Sequence, residues 1–121
     1  AFYDNFNEGF IGSADYATED WNHINPTGGH TQGREAVLKR LRLVHQTFLK
    51  GAHETATSME IRFATDEVAV GTVISTASPF VSPDGSKHEA QQGIRTFVLV
   101  KRGDRWLIMQ DHSTTITSPP R

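Results

Sequence analysis

Apolar positions recur along this chain with two different periods. Between Arg34 and Lys50, the residues Val37, Leu38, Leu41, Val44, His45, Phe48 and Leu49 form one stripe, with Lys39, Arg40, Arg42 and Lys50 opposite. Spacings of three and four predict an amphipathic helix, and Gly51 is a natural stop. Phe2, Phe6 and Phe10 stand at i, i+4 and i+8. They predict a helix over 1–11, the end of a longer first helix, closed by Gly12-Ser13. Ala14–Glu19 reads as a short second helical turn.

Elsewhere the period is two. Trp21–Asn25 and His30–Gln32 read as a short hairpin around Pro26-Thr27-Gly28-Gly29. Counting across that turn sets Asn25 opposite His30 and His23 opposite Gln32. Trp21, His23, Asn25, His30 and Gln32 then share one face, a polar cluster with one indole that suits the mouth of a site. Thr55–Phe63 alternates, with Thr57, Met59, Ile61 and Phe63 on one side. A turn at 64–67 pairs Phe63 with Val68, Ile61 with Val70 and Met59 with Thr72. A shift of one residue would set that row against Ala69, Gly71 and Val73, and the hydrophobic ladder favours the first register only modestly. Val68–Val81 runs into the strong turn Ser82-Pro83-Asp84-Gly85, and Lys87–Lys101 returns with Thr72 beside Arg95 and Val70 beside Phe97. Thr115 onward, with Pro119-Pro120, reads as a tail.

The final hairpin, Gly93 to Ser113, closes through Arg102-Gly103-Asp104. If Lys101 faces Arg105 across a three-residue loop, Leu99 lies opposite Leu107, Phe97 opposite Met109 and Arg95 opposite Asp111. The other face then carries Val100/Trp106, Val98/Ile108, Thr96/Gln110 and Ile94/His112. Opposite charges paired on one face attract. The inner face is thus greasy at the turn end and finishes in an Arg95–Asp111 pair, the layout of a pocket with a charged end. His112 points the other way.

Helices, a short hairpin, one long helix and then four strands in a meander predict an α+β domain, with one sheet curling around helices gathered on one side. A chain of 121 residues is most simply a single domain able to bury its own core.

Composition narrows the functional classes. A formal net charge of −2 offers no basic surplus for nucleic acid. The absence of cysteine excludes disulfides, thiolate chemistry and cysteine-ligated zinc. No apolar run reaches the ~18 residues of a membrane span, and no signal peptide is visible, which together favour the cytoplasm; the chain starts at Ala1, without a Met. The six histidines form no HxxxH or HExxH spacing, so no metal site and no cofactor is expected. His45, within the helical stripe, suits either a hydrogen-bonded core position or a pocket.

The segments DWNHINPTGGHTQGREAV at 20–37, HQTF at 45–48, IRFATDEVAV at 61–70 and RWLIMQDHST at 105–114 together resemble the nuclear transport factor 2-like superfamily. That group is also called SnoaL-like or cystatin-like, and the similarity is greatest to its small bacterial SgcJ/EcaC-type branch. The resemblance implies a cone-shaped, curved, mixed but mainly antiparallel sheet wrapped around N-terminal helices and one long helix. It also implies a homodimer through the outer sheet face. Isomerases, cyclases, epoxide hydrolases and non-catalytic modules share such a fold, so chemistry rests on the site.

Against the steroid-isomerase pattern of that superfamily, Asn25 before Pro26 stands where an aspartate base is needed, and an amide cannot accept the proton. The phenol and protonated acid of that pattern are replaced by Phe2 or Phe6 and by Thr96 or Phe97, with Tyr3 the only nearby phenol. Against the epoxide-hydrolase pattern, Asp111 matches one aspartate, but Gly71, Thr72 and Val73 stand where its companions belong. A cyclase-like reading needs one acid or base in an apolar cavity, a role open to Asp111 or to the His23/His30 group.

The expectation is therefore a domain that binds a hydrophobic or polyketide-like small molecule, or a non-catalytic dimerisation or partner-binding module. The pocket is expected to be lined by Phe6, Phe10, Trp21, His23, Asn25, His30, His45, Met59, Phe97 and Met109. Arg95 and Asp111 form its polar, catalytic end. Neither nucleic acid nor membrane is expected as a partner.

Overall fold

The computed structural model of the chain describes residues 15–46, 54–81, 87–88 and 91–116. The expected N-terminal helix with Phe6 and Phe10 lies outside these residues. Of the tail expected from Thr115 onward, Thr115 instead ends the last strand and the Ile116 N–H donates to the Gln92 carbonyl at 2.9 Å, while the residues beyond lie outside the described ones. The described elements are β1 (Ala17–Ile24), β2 (His30–Gln32), α1 (Arg34–Gln46), β3 (Glu54–Thr65), β4 (Val68–Ala77), β5 (Phe80–Val81), β6 (Lys87–His88), β7 (Gln91–Arg102) and β8 (Arg105–Thr115). Six strands form one sheet in the order β2-β1-β8-β7-β4-β3, while β5 and β6 pair only with each other. β1 runs parallel to β8, and every other pair is antiparallel. The α+β class and the mixed, mainly antiparallel sheet are as expected. Among the described residues, no helix is long and apolar enough to cross a membrane.

The helix is tied to the sheet at its start. Gly33 has φ +93, a left-handed conformation that glycine adopts without a Cβ penalty. Its N–H donates to the Trp21 carbonyl at 2.8 Å, and its own carbonyl accepts from Val37 at 2.9 Å, opening the first turn of α1. Arg34 Nη1 donates to the Ala17 carbonyl at 3.0 Å, locking the helix to the head of β1. Val37, Leu38 and Leu41 face inward and pack with Tyr16, Ala17, Trp21, Val73, Phe97 and Ile108 as the core, with Leu99 alongside.

Alternation on β4 defines the faces of the sheet: Ala69, Gly71, Val73 and Ser75 are buried, and the residues between them are half-buried. Cross-strand partners share a face, so β7 contributes Arg95, Phe97 and Leu99 to the inner side, opposite Val73, Gly71 and Ala69.

Several registers differ from the sequence expectation. Of the helical turn expected over Ala14–Glu19, the described residues 15–19 form none; a turn at Asp15-Tyr16 leads into a strand that begins at Ala17, four residues before Trp21. The first hairpin pairs Ile24 with His30 and His23 with Thr31. The loop is one residue longer than expected because Asn25 leaves the strand to close it. Asn25 Oδ1 accepts from the Thr27 N–H, the Thr27 hydroxyl and the Gly29 N–H at 3.1, 2.9 and 2.8 Å. In the next hairpin the turn tightens to Asp66-Glu67 and a β-bulge follows between Phe63 and Thr65; together they set Met59, Ile61 and Phe63 opposite Val73, Gly71 and Ala69, the second of the two expected registers. The β4–β7 ladder is displaced likewise, with Thr72 opposite Thr96 and Val70 opposite Val98.

The closing hairpin turns on two residues, Gly103-Asp104, with Gly103 at φ +66. Arg102 faces Arg105, Lys101 faces Trp106 and Leu99 faces Ile108. A β-bulge between Val98 and Leu99 then inserts Met109 as an extra residue on β8. Beyond it, Phe97 lies opposite Asp111 and Arg95 opposite Ser113. The expected facing pairs Arg95/Asp111 and Phe97/Met109 are thus replaced, and Ile108 moves from the outer face into the core.

Candidate functional site

On the inner face, the strands line up a row of buried polar side chains running from β3 to β1. Glu54, Ser75, Arg95, Ser113, Asp111 and His23 are all buried. Asp111 is its centre and is wholly enclosed, with 0% exposure. A carboxylate buried to that degree must have donors around it. Trp21 Nε1 donates to Oδ1 at 2.7 Å. His23 Nδ1 lies 3.0 Å from Oδ1 and 2.9 Å from Oδ2, and Arg95 Nε lies 3.6 Å from Oδ2.

Register explains the meeting. His23 is the direct cross-strand partner of Asp111 on the parallel β1–β8 pair. Trp21 is two positions earlier on the same face of β1, its ring meeting that of His23 edge to face at 6.2 Å. Arg95 sits diagonally across from Asp111 on β7, and its Nε donates to Ser113 Oγ. Its guanidinium carbon lies 6.0 Å from the centre of the Phe97 ring, and Nη1 lies 4.0 Å from Glu54 Oε1. Glu54 in turn accepts from the Ser75 hydroxyl. One guanidinium therefore spans two carboxylates that would otherwise be buried as like charges.

An ionised carboxylate only accepts hydrogen bonds, so His23 donates from Nδ1. That selects the tautomer and leaves Nε2 as the ring nitrogen that bonds nothing among the described residues. Tyr16 completes the neighbourhood. Its ring meets Trp21 edge to face at 6.0 Å. Burial pushes its phenol up to about 12, with the Asp111 and Asp15 carboxylates adding to the shift and Arg42 opposing it. Tyr16 is therefore a neutral O–H donor across the physiological range.

Of the expected site residues, Trp21, His23, Arg95, Phe97 and Asp111 come together. His30 does not: with the corrected hairpin register it lies on the opposite face from His23 and is exposed. Asn25 spends its side chain on the loop. Met109 is the bulged residue and is exposed. Met59 is on the inner face but on the outermost strand, where it is also exposed. His45 lies on α1, with its side chain outside the described residues, as are Phe6 and Phe10.

Sequence reading missed Tyr16, Glu54, Ser75 and Ser113. The sequence pattern places Tyr16 in a helical turn. The other three carry short polar side chains or a lone acid at strand positions with no distinguishing pattern, and the alternation of β4 offered only a parity signal for Ser75. Among the described residues, no group of three or more His, Asp or Glu side chains is placed to hold a metal ion.

A family model described as SnoaL-like domain matches residues 3–110. The chain belongs to the SnoaL-like domain family. No curated protein matches the sequence. Among solved structures, an uncharacterised protein with a cystatin-like fold from Caulobacter vibrioides superposes with a TM-score of 0.90 at 21% identity, over 97% of this chain and 83% of that one. A proposed scytalone dehydratase from Novosphingobium aromaticivorans gives 0.75 at 16% identity, over 96% and 77% of the two chains. A proposed dehydratase of the nuclear transport factor 2-like family from Streptomyces avermitilis gives 0.77 at 18%, over 98% and 90%. At these identities the likeness is one of fold.

Proposed function

We propose that this protein binds an uncharged, largely hydrophobic small molecule carrying a carbonyl or hydroxyl group, and acts on it by acid–base chemistry of the dehydratase, isomerase or cyclase kind. The observation that carries the reading is the grip of buried Asp111 on His23 Nδ1. A histidine held in this way has a set orientation and tautomer. Its Nε2 can take a proton from a carbon beside a carbonyl and return it elsewhere. Asp111 is enclosed, so in this reading it positions His23 and does not carry the proton itself. Arg95 positions Asp111.

Charge supports an uncharged ligand. In formal charges, Glu54 and Asp111 against Arg95, with His23 as the neutral tautomer, give the buried row one negative charge in excess, which disfavours an anion in a low-dielectric setting. Trp21, Phe97 and Tyr16, all buried in the core, surround the row with aromatic side chains. Two structural neighbours are named as dehydratases, which is the same reaction class.

The test is a thermal-shift screen of hydroxylated aromatic ketones and their carboxylate analogues, followed by turnover assays on each stabilising compound. Neutral compounds should stabilise and turn over, and His23→Gln should bind them with turnover reduced roughly 10²-fold or more. The full enclosure of Asp111 also suits a network that only joins β1 to β8, and that second reading predicts binding without turnover in wild type and variant alike.

A further inference from the structure

We propose that the free edge of β3 pairs with the β3 edge of a second copy of this chain, antiparallel and centred on Ile61. This rests on the sheet edge and is independent of the acid–base reading. Among the described strands, β3 is the last of the sheet, with β4 on one side only. Its inner-face residues are strongly exposed: Met59 by 61%, Ile61 by 48% and Phe63 by 66%. Phe63 extends this apolar surface to Trp106, whose ring it meets edge to face at 5.7 Å. Exposed apolar side chains on an open strand edge invite another strand.

Within the segment, proline, lysine and bulges, three common edge protections, are absent. The two register irregularities of β3 fall outside it, between Ala56 and Ser58 and between Phe63 and Thr65. Residues 58–63 are therefore one regular stretch.

Charge chooses the occupant. Between the apolar positions stand Glu60 and Arg62, both exposed on the outer face. Antiparallel pairing about Ile61 sets Ile61 against the second copy's Ile61 and Met59 against the second copy's Phe63. It also sets Glu60 against the second copy's Arg62, twice by symmetry. Moving the axis to residue 60 or 62 instead opposes two glutamates or two arginines, and a half-step sets apolar side chains against charged ones. One register satisfies both faces, as a two-fold interface requires. Six residues of edge bury less than a standard interface, so the dimer is concentration-dependent.

Sedimentation velocity across a concentration series tests this on the whole chain, with circular dichroism to verify folding. Wild type is expected to pass from monomer to dimer. Glu60→Arg and Arg62→Glu should each weaken the dimer about tenfold or more, because two attractive pairs become repulsive. The double exchange Glu60→Arg with Arg62→Glu should restore it. A wild type that stays monomeric at its highest soluble concentration overturns the proposal. So does a dimer unmoved by either reversal, which would place the contact elsewhere, such as on the outer sheet face.

Discussion

His23 and Asp111 face each other across the parallel strands β1 and β8, and one ring nitrogen reaches both carboxylate oxygens at 3.0 and 2.9 Å. The two residues are 88 positions apart in the chain. Their contact joins the first strand of the sheet to the last, so the same bond that orients the histidine also fastens the fold. Losses of stability and of chemistry have to be separated by variants that affect one and spare the other.

Asp111→Asn is expected to destabilise the protein by about 3 kcal/mol or more, since it removes the buried negative charge that Arg95 faces and turns one of the two accepting oxygens into an NH2 donor set against His23 or Trp21. Trp21→Phe keeps most of the ring and removes one bond to a charged acceptor, which costs about 1.5–3 kcal/mol. Urea unfolding measures both. A cost below about 1 kcal/mol for Asp111→Asn would mean that the network does not support the fold.

Arg95→Leu should cost about 3–5 kcal/mol, because it leaves Glu54 and Asp111 buried with their shared guanidinium gone. Arg95→Lys retains the charge without the planar donor fork that reaches Ser113, and should fall between the two. If Leu were tolerated as well as Lys, the bridging role would be wrong. Chemical denaturation at fixed pH gives the comparison.

Tyr16 sets an alkaline limit. Its phenol is raised in the fold from 10.0 to about 12, chiefly by burial. The folded state therefore holds the proton more tightly than the unfolded chain. That contribution is fully present below pH 10 and fades as pH rises from 10 through 12, amounting to about 2–3 kcal/mol. Tyr16→Phe should flatten the stability profile over that window. An identical decline in wild type and variant would remove Tyr16 as the cause.

Two glycines make opposite predictions. Gly33→Ala meets nothing within 4 Å but must hold φ +93, so it should cost about 1–2 kcal/mol. Gly71 has an ordinary strand backbone, and an added Cβ would make normal contacts at 3.8 Å with Phe97 and 3.9 Å with Leu99. Gly71→Ala should be neutral or stabilise by about 0.5–1 kcal/mol. Melting temperatures of the two variants test the contrast.

The amino-acid pattern alone determined the α+β class, the inward stripe of α1 and the strand character of the sheet, apart from the start of β1, which it places in a helical turn. Those depend on local periodicity, which each segment carries within itself. It also brought Arg95 and Asp111 to one face, although by an incorrect count. The two-residue turn at Gly103-Asp104 shifts the pairing by one, moving Ile108 inward, and the bulge at Met109 shifts it by one more. Because side chains alternate with period two, the second shift restores the parity that the first removed. A single slip at the first hairpin had no such correction, and His30 ended on the wrong face. Only the tertiary structure decided that β1 lies beside β8, and with it that His23, not His30, meets Asp111. That adjacency is a long-range parallel pairing with no turn to announce it. The Glu54–Ser75 end of the row and the open edge of β3 follow from strand order for the same reason: which strands are neighbours, and which has a neighbour on one side only, is written in no local pattern.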